Sequence, residues 1–409
     1  MSSELQKGTP RPRIAIVGGG PAGLRAAEVA AERGAQVTLF EAKRAVGRKF
    51  LVAGRSGLNL TNDEEFESFL AKYGGEELPV ELWHRVLGEF DAAALRAWAA
   101  GLGVETFVSS GGKVLPVPID GSMKATPLLR RWLERLRHSG VVLQTGHRWL
   151  GFGSGNELLF ESQAEAISYE YDAAILALGG GSWPKTGSTG SWVSILEESD
   201  IRVAPLRASN CGWEVSWPSE LLAAAEGLPL KNLSLNAGES SRRGELVITR
   251  YGLEGGPIYR LGPMLRSMRE PQIVVDFKPD QSRAELITRM GKVQRNFVRE
   301  AGRRLKLDKG TCALLKHLPS RGPWKSSEQI VDEVKACRID LTGPRPIAEA
   351  ISSAGGVHWS ELDDNLMLTK LPHVYVAGEM IDWDAPTGGY LLQACFATGA
   401  HAARAATPP

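Results

Sequence analysis

Apolar residues fill positions 14–17 without a break, and the glycine turn Gly18-Gly19-Gly20-Pro21-Ala22-Gly23 leads from them into an alanine-rich stretch that runs to Arg33. The pattern predicts a buried strand, a tight turn and a helix closed by Gly34, with a second strand over 36–40 that ends at Glu41. Residues 64–103 carry apolar positions at helical spacing, and Trp83, Val86, Leu87, Phe90, Leu95 and Trp98 are expected in a core. A strand-like region over 107–117, a helix over 123–137 and a strand over 141–143 follow. The apolar run 171–178 predicts another sheet strand, which feeds the glycine loop GGGSWPKTGSTGSW. From 201 to 275 the pattern changes to short β runs at 233–235, 245–249 and 273–277 with Gly- and Pro-rich turns. Residues 281–325 read as helices and 330–342 as β structure. A strand over 374–376 and a helix over 390–406 close the chain.

Strand, glycine turn and helix in that order suit a dinucleotide. Gly18 makes the turn, Gly20 admits a pyrophosphate to the backbone, and Gly23 lets the helix sit close on the sheet, while the helix N-terminus offers unpaired N–H groups to the anion. Glu41 stands twenty-three positions after Gly18, near the roughly twenty expected of an acid that binds the adenosine ribose. Glycines also serve ordinary turns; the strand before, the helix after and the acid in place separate this turn from those. The far end selects FAD over NAD. Gly378, the carboxylates of Glu379 and Asp382, and Thr387-Gly388-Gly389 ahead of the last helix supply a second contact, for the ribityl hydroxyls and for negative charge on a reduced flavin ring. The simpler alternative is that Gly388 and Gly389 merely open a surface helix.

Composition narrows the rest. At 409 residues, 43% hydrophobic and 23% charged, the chain is expected to be a soluble globular protein of two or three domains. The opening MSSELQKGTPRPR lacks the apolar core of a signal peptide and no membrane span is expected, so a cytoplasmic enzyme of bacterial type is anticipated. Cys211, Cys312, Cys337 and Cys395 form no CxxC pair, which argues against a redox-active disulfide. Scattered histidines predict no metal site. The net charge of +1 hides a basic segment: residues 283–325, Arg321 among them, hold twelve basic residues against three acids, a local +9 that leaves −8 for the remainder. Such a segment would attract the phosphates of RNA or NADPH, or be a solvated helical face.

Taken in order, GRKFLVAGRSGLNLTN, LALGGGSWPKTGSTG, GELVITRYGLEGGPIY, SSAGGV and VYVAGEMIDWDAPTGGY resemble the BaiN/RdsA-type FAD-dependent oxidoreductases over nearly the whole chain. The resemblance implies an α/β fold, a Rossmann-type FAD-binding domain (1–200 and 346–409) interrupted by a β-barrel-like part (201–279 and 328–345) and a small basic helical part (280–327). It also implies reduction of carbon–carbon double bonds, in steroid-like bile-acid intermediates or in a uridine of ribosomal RNA. Related sequences commonly carry a cysteine in the motif that here reads Arg55-Ser56-Gly57-Leu58-Asn59; Leu58 takes its place, so chemistry that needs that thiol does not carry over.

The expected cofactor-binding set is Gly18, Gly20, Pro21, Ala22, Gly23, Glu41, Ala42, Arg48, Lys49, Asn59, Leu60, Arg148, Ala177, Gly179, Gly180, Gly378, Glu379, Asp382, Thr387, Gly388, Gly389 and Tyr390. The expected reaction takes hydride from NAD(P)H through FAD to an activated double bond, with a side chain giving the proton. Lys185 leads the candidate donors, before Tyr390, Asp384 and Cys395; Lys185 would equally suit a phosphate and Cys395 simple packing. An RNA-modifying reductase that grips phosphates through the basic segment and stacks a base on Trp324 is the first alternative. A flavin- and folate-dependent RNA methyltransferase and a non-catalytic FAD-binding protein are the others.

Overall fold

The computed structural model describes residues 11–408 apart from 56, 76, 119–122 and 319–322. Ser56, Arg321 and the first ten residues lie outside the described residues. The chain forms two compact units, Met1–Arg207 with Ser353–Pro409, and Ala208–Ser352.

The first unit is built on strand β1 (Arg13–Val17), helix α1 (Pro21–Glu32), strand β2 (Gln36–Glu41), helix α2 (Arg48–Ala53), strands β3 (Val142–Thr145), β4 (Ala173–Leu176) and β5 (Val374–Val376), and helix α3 (Tyr390–Ala406). The strands form one parallel sheet in the order β5-β4-β1-β2-β3. The fold is α/β and Rossmann-type, as expected. Ile14, Ala15, Ile16, Ala174, Ile175 and Leu176 are fully buried: α1 and α3 cover one face of the sheet, and the antiparallel strands Arg148–Phe152, Glu157–Ser162 and Glu165–Glu170 cover the other, with Phe160 and Tyr169 against Phe40. Pro21 opens α1 where a missing N–H costs nothing, and Gly34 at φ +86 takes the left-handed turn that ends it. Helix α3 is alanine-rich and buried along its length, so it lies close on α1: a Cβ on Gly399 would stand 2.3 Å from the Ala22 carbonyl oxygen.

The tryptophans read as core are core. Trp83, Val86, Leu87, Phe90, Leu95 and Trp98 are all buried. Glu28 of α1 is 1% exposed and lies against Trp98 of this set. It accepts hydrogen bonds from Arg25 (2.6 Å), Trp98 (2.8 Å), Trp132 (3.1 Å) and Arg135 (2.9 Å), the full satisfaction that a buried carboxylate demands.

The second unit holds a seven-stranded antiparallel sheet, with Gln272–Asp276, Pro229–Ala237 and Ser240–Thr249 adjacent in its middle. Helices Arg283–Met290, Phe297–Arg304 and Lys309–His317 follow. One expectation fails here. Residues 330–342 were expected as β structure, but Ser327–Lys335 is a helix and only Cys337–Asp340 is the strand. Ile330, Val331 and Val334 fall on one helical face and are fully buried, and Ser326 accepts the Gln329 N–H at 3.3 Å as the cap. Capping and burial outweigh the β preference of the branched residues.

Candidate functional site

The parallel strands β1, β2, β4 and β5 end along one edge of the sheet, and the expected cofactor residues follow those ends. Strand order reverses direction between β1 and β4, which opens a crevice there. The Gly18 N–H donates to the Phe40 carbonyl (2.8 Å) and fixes the turn. A Cβ on Gly18 would lie 2.2 Å from the Ala177 oxygen, and one on Gly23 1.9 Å from the Gly18 oxygen. Both glycines are required by the protein's own backbone. Gly20 differs: among the described residues a Cβ there meets nothing within 4 Å, and no side chain caps the helix it precedes. Space, backbone donors and the positive end of the helix dipole coincide at this point, with Pro21 and Ala22 in the first turn. Glu41 accepts from the Gly19 N–H (2.9 Å) and the Lys43 N–H (2.8 Å). That orients its carboxylate beside the turn, with lone pairs left for a ribose. Ala42 follows and is exposed.

At the next strand end Gly378 donates its N–H to Thr398 Oγ1 (2.9 Å) and lies against Ala22, where a Cβ would come within 2.8 Å. The two chain ends therefore interlock at the crevice. Glu379 binds the Lys49 ammonium at 2.7 Å through Oε2 and accepts the Ser353 N–H at 2.9 Å through Oε1. Lys49 also donates to Ser182 Oγ at 2.6 Å. Gly180 sits below: a Cβ on it would overlap Ser353 Oγ and reach the Glu379 carboxyl carbon at 3.2 Å. Gly179 gives its carbonyl to the Trp192 indole (2.7 Å). Asp382 is 4% exposed, and its carbonyl accepts from Trp359.

Thr387, Gly388 and Gly389 lead into α3, and Gly389 lies on the backbone of Thr61, with 2.5 Å between a Cβ and Thr61 Cα. Leu60 is fully buried beside it, and Asn59 Oδ1 and Thr61 Oγ1 are buried with no hydrogen-bond partner among the described residues. Buried polar atoms without partners are rare and call for a ligand or water. An open anion cradle, an acid beside it and two orphaned polar atoms at the far end fit FAD.

The candidate proton donors separate. Lys185 is exposed, and the turn that carries it runs on to Gly187, whose Cβ position is 3.4 Å from Lys43 and 3.7 Å from Glu41 Oε1. Arg48 donates to the Lys185 carbonyl at 3.2 Å. The Lys185 turn thus lies beside Glu41 and the end of β2. Tyr390 is 6% exposed, and its hydroxyl donates to Glu64 Oε1 at 2.5 Å, with the Lys72 ammonium 3.7 Å from the same carboxylate. Cys395 is half-buried with its sulfur 3.6 Å from the Gly378 Cβ position. Burial, helped by the charge of Glu379 and opposed by Lys49, pushes its thiol up to about 12. Asp384 pairs its backbone with Gly74 and turns Oδ1 onto the Ala385 N–H. Arg148 is not drawn into this group: its guanidinium binds Glu161 at 2.7 Å.

The family model for the HI0933-like protein Rossmann domain matches residues 12–405. The chain belongs to that family. It is 29% identical to the 3-dehydro-bile acid delta(4,6)-reductase of Clostridium scindens over 96% of this chain and 98% of that protein. It is 22% identical to the ribosomal RNA dihydrouridine synthase of Haemophilus influenzae over 60% of each chain. The 3-ketosteroid-delta4-(5alpha)-dehydrogenase of Rhodococcus jostii RHA1, solved with 4-androstene-3,17-dione, superposes with a TM-score of 0.55 at 15% identity and covers 100% of this chain and 99% of its own. The last likeness is one of fold. The resemblance drawn from the motifs is borne out, and this HI0933-like protein is a FAD-dependent oxidoreductase.

Sequence reasoning placed Lys49 and Glu379 at the cofactor but missed that they pair, and it missed Glu64, Ser182 and Ser353 altogether. Ser353 lies in SSAGGV and Ser182 in LALGGGSWPKTGSTG, so the family motifs were the available signal. In the basic segment Arg283 pairs with Asp332, Arg303 and Arg304 pair with Glu300, and Arg289 donates to the Arg304 carbonyl. Trp324 lies partly buried on its own unit's core. Among the described residues no group of three metal-binding side chains occurs, and no helix is long and apolar enough to cross a membrane.

Proposed function

We propose that this protein is an NAD(P)H-driven reductase of an activated carbon–carbon double bond, and that its substrate is a flat conjugated ketone. The observation that carries the reading is its end-to-end likeness to the bile-acid reductase, over 96% of this chain and 98% of that one. FAD, when bound, supplies the hydride to the electron-poor carbon. The chain does the rest. The α1 terminus and Gly20 would hold the pyrophosphate, Glu41 the adenosine ribose and Glu379 the ribityl chain. Asn59, Thr61, Gly388 and Gly389 hold the ring edge. The carbon next to the one that takes hydride needs a proton. We assign it to the Tyr390 hydroxyl, with Glu64 and Lys72 behind it as the route for a replacement proton. Lys185, at the nucleotide end, serves an anionic group of a dinucleotide.

The test is the anaerobic visible spectrum of the purified protein with NADPH, then NADH, followed by addition of a 3-oxo-Δ4 steroid. Bleaching and then steroid-dependent return of the flavin bands is expected. A bleached flavin that the steroid reoxidises no faster than buffer would overturn the substrate class.

The likeness to the dihydrouridine synthase favours a second reading, reduction of a uridine in RNA. Binding of an RNA would then weaken steeply with salt, whereas a neutral ketone gives no such slope.

A further inference from the structure

Lys49 and Glu379 are 330 positions apart in the chain and meet at 2.7 Å. Lys49 comes from the first turn of α2 and Glu379 from the turn after β5, and both are drawn off solvent, with side chains 27% and 13% exposed. Their partners come from two further segments: Ser182, in the loop after β4, on Lys49, and the Ser353 N–H, in the strand Ser352–Val357, on Glu379. Four chain segments thus converge on one pair of opposite charges at the edge where the cofactor lies. Both charges are felt nearby, since Glu379 raises and Lys49 lowers the Cys395 thiol after the larger effect of burial.

We propose that Lys49 and Glu379 together set the reduction potential of the bound flavin, Lys49 favouring the reduced form and Glu379 opposing it. The proposal rests on the flavin reading of the site and on no choice of substrate. Hydride uptake, two electrons and one proton, turns a neutral ring system into a singly negative one, with the hydride donor oxidised in step. With Glu379 assigned to the ribityl chain, which is attached directly to the ring, a positive charge there favours reduction and a negative one disfavours it. As a pair the two charges offset each other, so removal of either leaves the other uncompensated in a partly desolvated place. The signs are then fixed. Lys49→Met leaves Glu379 alone and makes the flavin harder to reduce; Glu379→Gln leaves Lys49 alone and makes it easier.

The experiment is a reductive titration of the FAD-loaded protein against a reference dye, without substrate, for wild type, Lys49→Met, Lys49→Arg, Glu379→Gln and the double variant Lys49→Met/Glu379→Gln. The expected result is a change of at least about tenfold in the reduction equilibrium, about 30 mV for two electrons, downward for Lys49→Met and upward for Glu379→Gln. Lys49→Arg and the double variant stay within about threefold of wild type. If one variant loses the cofactor, the other still decides by its sign. Shifts in the same direction, shifts below threefold, or loss of FAD from both variants would make the pair an anchor and overturn the proposal. A wild-type protein that binds no FAD would overturn the flavin reading as well, whereas a yellow protein with unmoved potentials would overturn this inference alone.

Discussion

A Cβ on Gly23 would stand 1.9 Å from the carbonyl oxygen of Gly18, whereas the same atom on Gly20 meets nothing within 4 Å. The fold requires Gly23 but not Gly20, which leaves Gly20 open to the proposed pyrophosphate. Gly23→Ala must push α1 off the sheet, and overpacking of this kind costs at least about 1–3 kcal/mol. Gly20→Val should leave the apoprotein's unfolding free energy, measured in urea, within about 0.5 kcal/mol of wild type, while FAD occupancy collapses. Full flavin content in Gly20→Val would sink the placement of the pyrophosphate.

Tyr390 and Glu64 form the second testable pair. Tyr390→Phe removes the hydroxyl that donates to Glu64 but keeps the ring among Phe69 and Tyr73. FAD binding and reduction by NAD(P)H should survive, and only the step in which the flavin is reoxidised by substrate should slow, by roughly 10²-fold or more for a lost general acid. Stopped-flow measurement separates the two half-reactions. Equal slowing of both would make Tyr390 a packing residue.

The parts of this structure that were legible in the sequence are those whose cause is local. The apolar run into Gly18, the Gly34 stop and the acid at Glu41 each follow from backbone geometry over a few residues, and the glycine loops could be assigned to a nucleotide because their spacing is itself the chemistry. The Lys49 and Glu379 ion pair, the Tyr390 and Glu64 hydrogen bond and the closure of α3 on α1 depend on residues hundreds of positions apart. No periodicity encodes them. Lys185 leads the candidates because it sits between glycines in a motif that resembles the family's; only the tertiary path of its loop, which brings Gly187 against Glu41, shows which strand end that loop approaches. The strand expected over 330–335 fails for the opposite reason: local signals compete there, and the Ser326 cap with the buried face of Ile330, Val331 and Val334 makes the segment a helix.

Glu28 offers a test of the core apart from chemistry. It is 1% exposed and bound by two arginines and two tryptophans. Glu28→Leu leaves Arg25 and Arg135 without their carboxylate and should cost about 3–5 kcal/mol, the usual result of removing one side of a buried pair. Urea unfolding of the apoprotein measures it. A loss under 1 kcal/mol would mean that the guanidinium groups find other partners or water.

Cys395 makes the alkaline side of the stability curve predictable. Its thiol stands at about 12 in the folded protein against an ordinary 9.0, chiefly because the buried sulfur resists taking a charge. The fold therefore prefers the protonated thiol. The sign follows from linkage: a group whose folded value is raised contributes its full stabilisation below the unfolded value, and that contribution fades as pH rises from 9 toward 12. Wild type should lose about 1 kcal/mol relative to Cys395→Ala between pH 8 and pH 10. The same property makes the thiol a poor nucleophile at neutral pH, so iodoacetamide should label Cys395 in the native protein far more slowly than after unfolding. Rapid labelling at pH 7.5, or pH-independent stability differences between the two proteins, would show that the sulfur is more open to water than its position beneath Gly378 implies.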